Sequence, residues 1–282
     1  MLAMCLSSEV GYRLVRDKLT VGLSGMPVVC PSAKALRDLR RRIGSTPVRA
    51  LFGVLAGLPA LPTTPGGRFS AYRMVSFDGC SSLRVPASER NRAWLGRTSQ
   101  HGYPTLEAVT LVETGPRTAP CSPPPPRVTS CAHRLLHLLR PDMLMLRDKG
   151  SDSNAFLAAV TDTGAQVLGR ATQQPAHADP HHQRWEHEST YCALRHTIMN
   201  GRNLRSGDPA GIEQEMWSLL TLNQALRTVM VAAAESLPGT DRDCCCFGIA
   251  LHTARDQVIQ ATGVIPRTPI GTHSSGCSAT GS

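Results

Sequence analysis

Apolar positions at helical spacing open the chain. Leu2, Leu6, Val10 and Leu14 form one stripe through "MLAMCLSSEVGYRLVRDKL", with no capping residue ahead of it. The stretch reads as helix interior and suggests a truncated N-terminus. A second helix is predicted over "AKALRDLRRRIG", with Ser32 as its N-cap and Gly44 as its stop. A third follows over about 46–57, and "LPALPTTPGGRFS" then reads as a linker. Beyond it the period changes to two. In "YRMVSFDG", residues 72–79, Val75 and Phe77 face one side while Met74, Ser76 and Asp78 face the other. Further strands are predicted at about 105–113 and at 142–148. "SNAFLAAVTDTG" reads as a helix ending at Gly164, and "AQVLGR" as a short strand after it. The last third is helical: one helix over about 184–199, and a longer one from Asp208-Pro209 to about Ser236. Gly239 and Thr240 break the pattern before a last helix in "FGIALHTARDQVIQATG". After Pro266 the chain is Ser, Thr and Gly and reads as a disordered tail.

Strands that come first, followed by a strand–helix–strand unit, predict an α/β domain with a mixed sheet and flanking helices, preceded by a small helical N-terminal domain. One segment resists this order. "GPRTAPCSPPPPRVTS", 115–130, carries six prolines where an antiparallel sheet wants its next strand. Proline cannot donate to a ladder, so the segment reads as a loop or as damage to the sheet.

The bulk numbers narrow the partners. The 282 residues are 41% hydrophobic, enough for one large domain with a small appendage. The formal charge is +9, which favours an anionic partner, nucleic acid being the commonest. Residues 1–70 hold ten Lys and Arg against Glu9, Asp17 and Asp38, a net of +7. Lys34, Arg37, Arg40, Arg41 and Arg42 lie on the second helix, and three short helices with a basic middle one could dock on DNA as a helix-turn-helix does. A solvated basic face would look the same. The ten cysteines show no CxxC pair, and Cys244-Cys245-Cys246 suits neither a disulfide framework nor zinc. No signal peptide is visible and no apolar run reaches about 18 residues, so a reduced, cytoplasmic protein is expected.

"QRWEHESTYCALRHTIMNGR", 183–202, sets Arg184, Glu188, Tyr191 and Arg195 at spacings of four, three and four. A solvated ion-pair face is the plain explanation. The sharper one needs acids elsewhere, and Asp78 and Asp148 stand at the ends of apolar strands. Three carboxylates converging from two strands and a helix would suit two Mg²⁺ or Mn²⁺ ions, which could activate water and stabilise a leaving 3′ oxygen. Arg184 and Arg195 would then grip the DNA backbone. His177, His181, His182 and His187 share no ligand spacing, and Trp185 reads as core before it reads as a base-stacking residue.

These pieces resemble the DDE transposases of the insertion-element-4 family, especially the actinobacterial type. The helix stretch is similar to the signature Y-x2-R-x3-E-x6-K, with His181 where the family has Tyr and Arg195 where it usually has Lys. "VSFDGCSSLRVP" resembles the first-aspartate region with Asp78, and "LMLRDKGSDSNAF" the second with Asp148. The resemblance covers roughly 1–114 and 131–264. It implies a ribonuclease-H-like catalytic core over 70–264, a helical DNA-binding domain over 1–60 and a tail over 265–282. It also implies a catalytic, metal-binding triad of Asp78, Asp148 and Glu188. The partner would be double-stranded DNA with terminal inverted repeats, bound by a homodimer at the bacterial nucleoid.

The departures point to a degenerate copy. Only 39 residues separate Asp148 from Glu188, so the family's β-rich insertion is largely absent. Ser151 replaces an aromatic behind Asp148, and the proline tract stands where a core strand belongs. An inactive, non-catalytic DNA-binding remnant is therefore the alternative to an active enzyme.

Overall fold

Local bonding splits the opening helix in two. The computed structural model describes residues 1–23, 27, 29–56, 66–96, 102–114, 121–122, 128–147, 154–169, 193–237, 239 and 245–260, with backbone alone at 78–82, 121–122, 128–131, 147 and 169. Helix α1 spans Leu2–Leu6 and α2 spans Tyr12–Thr20. Between them Ser8 Oγ donates to the Ile198 carbonyl at 2.6 Å, and Gly11 takes the extended N-cap position of α2. Serine and glycine favour such local bonds over continued helix. The expected stripe is broken accordingly, with Leu6 buried and Leu14 54% exposed.

The next two helices follow the sequence closely. In α3 (Ala33–Ile43) the Ser32 hydroxyl accepts from Ala35 N at 3.1 Å, and Gly44 closes the helix at φ 69°. That left-handed conformation carries no Cβ penalty in glycine. Helix α4 spans Thr46–Leu55, with proline in its first turn.

Strand β1 (Arg68–Phe69) turns straight back into β2 (Tyr72–Arg84), so the end of the expected linker is a strand. β2 outruns its predicted span because an irregular register between Cys80 and Leu83 lets pairing resume. An unforeseen helix, α5 (Glu89–Leu95), follows; Ser88 caps it and Gly96 ends it. β3 (Thr105–Glu113) runs antiparallel to β2. Then come β4 (Cys121–Ser122), α6 (Val128–Leu135), β5 (Met143–Arg147), α7 (Asn154–Asp162) and β6 (Gln166–Gly169). The sheet order is β4-β3-β2-β5-β6, with β5 parallel to β2 and β6 parallel to β5. This is the mixed sheet expected.

The proline segment is corrected in part. Cys121 and Ser122 pair with Thr110 and Val109 at the sheet edge, and Val128 begins α6. The central positions belong to β2, β3 and β5. The prolines lie outside the described residues, and among the described ones the centre of the sheet is filled by paired strands.

Both faces of the sheet are covered. On one, Val75, Phe77, Leu111 and Met145 pack with Leu135 of α6 and Phe156 and Val160 of α7. The Phe77 and Phe156 rings meet edge to face at 5.7 Å. A second cluster joins Leu83, Val85 and Leu106 to the long helix α8 (Pro209–Glu235) and to α9 (Phe247–Ile259). Asp208 caps α8 as predicted, accepting from Gly211 N at 2.9 Å. Leu6 of α1 and Phe52 of α4 belong to this same cluster, and the Phe52 and Trp217 rings lie 5.2 Å apart. Among the described residues no helix is long and apolar enough to cross a membrane. Of the helix expected over 184–199, residues 193–199 are described, and Ala193–Ile198 winds as a π-helix. The expected tail after Pro266 lies outside the described residues.

One buried ion pair ties α3 to α8. Arg40 Nη2 lies 3.0 Å from Glu215 Oε1, with side chains 13% and 8% exposed. Glu215→Ala would leave that guanidinium stranded. It should lower the unfolding free energy by about 3–5 kcal/mol, read from the urea midpoint. A loss under about 1 kcal/mol would mean that water reaches Arg40 and screens the pair.

Candidate nucleic-acid interface and catalytic acids

The basic helix divides its charges. α3 contains no fully buried residue. Lys34, Arg37, Arg41 and Arg42 are exposed. Lys34, Arg37 and Arg41 share one face by their spacing of three and four. Among the described residues Arg41 pairs with Asp38, at 3.9 Å and largely in solvent, a contact of little energy. Arg40 turns inward instead. Its Nε donates to Gln214 Oε1 at 2.7 Å, Nη1 to the Tyr12 hydroxyl at 2.8 Å, and Nη2 to the Gly211 carbonyl at 2.8 Å. The Ser206 hydroxyl accepts from Nη2 as well. Burial opposes this charge, but Tyr12 and Glu215 outweigh it and hold the pKa above its usual value. Arg40 therefore positions the helix, and the other four basic residues face outward.

Of the three candidate acids, Asp78 alone lies within the described residues. Asp78 lies on β2, its backbone opposite Thr110 of β3. On the other side β2 pairs in parallel with β5, and the last matched pair is Ser76 with Leu146. Asp148 follows the end of β5 by one residue and lies outside the described residues, as do Glu188 and Arg184. His177, His181, His182, His187, Trp185 and Ser151 lie outside them too. Arg195 is half-buried in the π-helical stretch, where Met199 N donates to Leu194 O at 3.0 Å. The α-helical spacing that aligned Arg195 with Glu188 does not hold over that stretch. Among the described residues no three His, Cys, Asp or Glu come together as a metal site.

Several buried polar groups escaped the sequence reading. Arg73 Nη1 lies 2.6 Å from Glu113 Oε1, and the Glu113 side chain is fully buried. In mid-α8, Asn223, Gln224 and Arg227 are buried, with the Arg227 guanidinium 4.8 Å from the centre of the Phe247 ring. The interruption of "LLTLNQALRTVMV" by these polar residues was the available signal. Cys5 is buried near the same helix, and burial first, then the Glu215 charge, push its thiol up to about 12. It is no nucleophile at neutral pH.

Residues 1–53, which run from α1 to near the end of α4, match the family model described as insertion element 4 transposase N-terminal. The match supports an insertion-element-4 transposase. No curated protein matches the chain in sequence.

The two kinds of arginine should separate in stability. Arg40→Gln should lower the melting temperature clearly, whereas Arg41→Gln should change the unfolding free energy by less than about 0.5 kcal/mol. Equal losses would mean that α3 is held by its outer face. Cys5 sets an alkaline limit. Its folded pKa of about 12 lies above the ordinary 9.0, so the folded state keeps a proton that the unfolded chain gives up. The resulting stability is full below the ordinary value and falls as pH rises from there towards the folded one. Cys5→Ala should flatten that fall in melts taken across the alkaline range, and an unchanged slope would assign it to other groups.

Proposed function

We propose that the chain is a transposase that cuts DNA at element ends and joins the freed 3′ end to target DNA, using Asp78, Asp148 and Glu188. The observation that carries this reading is the parallel pairing of β2 with β5. Its last matched pair is Ser76 and Leu146, and Asp78 and Asp148 each follow that pair by two residues in sequence. A ladder continued at the same register would set the two acids side by side and on one face. Two carboxylates so paired need a cation between them or a shared proton. The order β4-β3-β2-β5-β6, with β5 and β6 parallel to β2, supports reading the sheet as a ribonuclease-H-like core.

The donor set is three carboxylates, all oxygen, which fits Mg²⁺ or Mn²⁺. Asp78, Asp148 and Glu188 would hold two such ions, which when bound supply an activated water or 3′-hydroxyl and neutralise the leaving oxygen. The remaining work falls to basic side chains. Arg184 and Arg195 would hold backbone phosphates beside the acids, and Lys34, Arg37, Arg41 and Arg42 would bind the duplex at the terminal inverted repeats. A homodimer would bring two element ends together.

A second reading, a DNA-binding remnant without catalysis, is favoured by the short span of 39 residues between Asp148 and Glu188. Calorimetry separates the two. Mn²⁺ titrated into the full chain should give a binding heat that Asp148→Asn removes, and the wild-type chain should nick duplex DNA carrying the element end. Heat and nicking that survive Asp148→Asn would overturn the assignment of the acids. DNA binding without any Mn²⁺ heat would favour the remnant.

A further inference from the structure

A groove of about 730 Å³ runs between α3, α5 and the first turn of α8. Arg37 and Arg41 line it from α3, Arg90 from α5, and Arg40 and Arg205 stand among them. Asp208 is the one carboxylate among the described lining residues, and it is engaged in capping Gly211 N at 2.9 Å. Arg40 is neutralised by Glu215. Arg205 donates through its guanidinium to the Val10 carbonyl at 2.8 Å and to that of Ser8, which ties it to the N-terminal turn. Arg37 and Arg90 are exposed and have no ion-pair partner among the described residues.

Cationic side chains that outnumber the acids beside them repel one another and gain little for the fold, so their use lies in what they meet. They come from two elements that line one open groove, which suits a polyanion lying along it better than one small anion at a focus. α5 follows β2, the strand that carries Asp78, so Arg90 joins the basic residues of α3 from a part of the chain outside the N-terminal helices. We infer that this groove seats the backbone of duplex DNA, with Arg37, Arg41 and Arg90 each meeting a phosphate. The inference rests on the reading of the chain as a DNA-acting protein and adds Arg90, which neither the basic helix nor the matched residues 1–53 include.

The test is anisotropy of a fluorescein-labelled duplex with the full chain over a range of KCl concentrations. Each phosphate contact contributes about 0.9 to the slope of log affinity against log salt. Arg90→Gln and Arg37→Gln should each make that slope shallower by about 0.9 and leave the melting temperature unchanged. Arg90→Lys should keep it. Arg140→Gln, at the far end of β5 and paired with Asp142 at 3.3 Å, should leave it as in the wild type. A wild-type slope in Arg90→Gln, with loss in Lys34→Gln and Arg42→Gln, would overturn the groove and leave the transposase reading intact. Displacement of the duplex by inorganic phosphate at constant ionic strength would make this a small-anion site and overturn the inference. A wild-type chain that binds no duplex would remove both readings.

Discussion

The contact between Arg40 and Glu215 fixes how the N-terminal helices meet the rest of the molecule. α3 buries no side chain fully, so the hydrophobic effect alone holds it weakly. Its anchor is a guanidinium whose nitrogens reach α2, the loop before α8 and α8 itself. Glu215 is held on the far side by the Arg205 backbone N–H at 2.7 Å. A buried ion pair adds little net stability over apolar packing, but breaking it is costly, and it therefore selects one arrangement. Gly211 makes the approach possible. A Cβ there would lie 2.6 Å from Ser206 Oγ and 3.2 Å from Arg40 Nη2. With Arg40 pointing inward, the rotation of α3 about its own axis is set, and Lys34, Arg37 and Arg41 share an outward face.

The sheet obeys a second constraint, burial on both faces. Met74, Val75, Ser76 and Phe77 are all buried, though they alternate sides. Strand β2 can therefore carry a polar residue only where the sheet supplies it a partner or where its cover ends. Ser76 and Thr110 are such residues, both buried, and Asp78 lies opposite Thr110 in the register.

Local signals were the legible ones. Ser32, Gly44 and Asp208 act on backbone groups within three or four residues, and each did what its sequence context implied. Strand β3 was readable end to end because its apolar run is bounded on both sides. Failures came where distant partners decide. Arg40, Arg41 and Arg42 are identical in sequence, and Gln214 and Glu215, more than 170 residues away, select the first of them. The opening helix failed because the Ile198 carbonyl draws Ser8 out of it. Helix α5 carried its cap and stop in Ser88 and Gly96, but it is too short for periodicity to show. Strand alternation made the place of Asp78 on β2 legible, whereas Arg90 drew no notice until the fold set it in one groove with Arg37 and Arg41.

The edge position of β4 changes what the proline tract means. A proline-rich segment in a central strand would forfeit ladder bonds on both sides and with them most of the small net stability of a domain. The prolines themselves lie outside the described residues, and among the described ones β2 pairs with β3 on one side and with β5 on the other. Among the described residues the sheet that carries Asp78 is covered by rings and aliphatic side chains on one face and by α8 on the other. Of the departures read from the sequence, the short span of 39 residues between Asp148 and Glu188 bears on the proposed site. Stability and catalysis become separate properties. The pairing that supports the sheet is also the pairing that sets the register of β2 against β5, so a chain that has lost its chemistry would still have every physical reason to keep this fold.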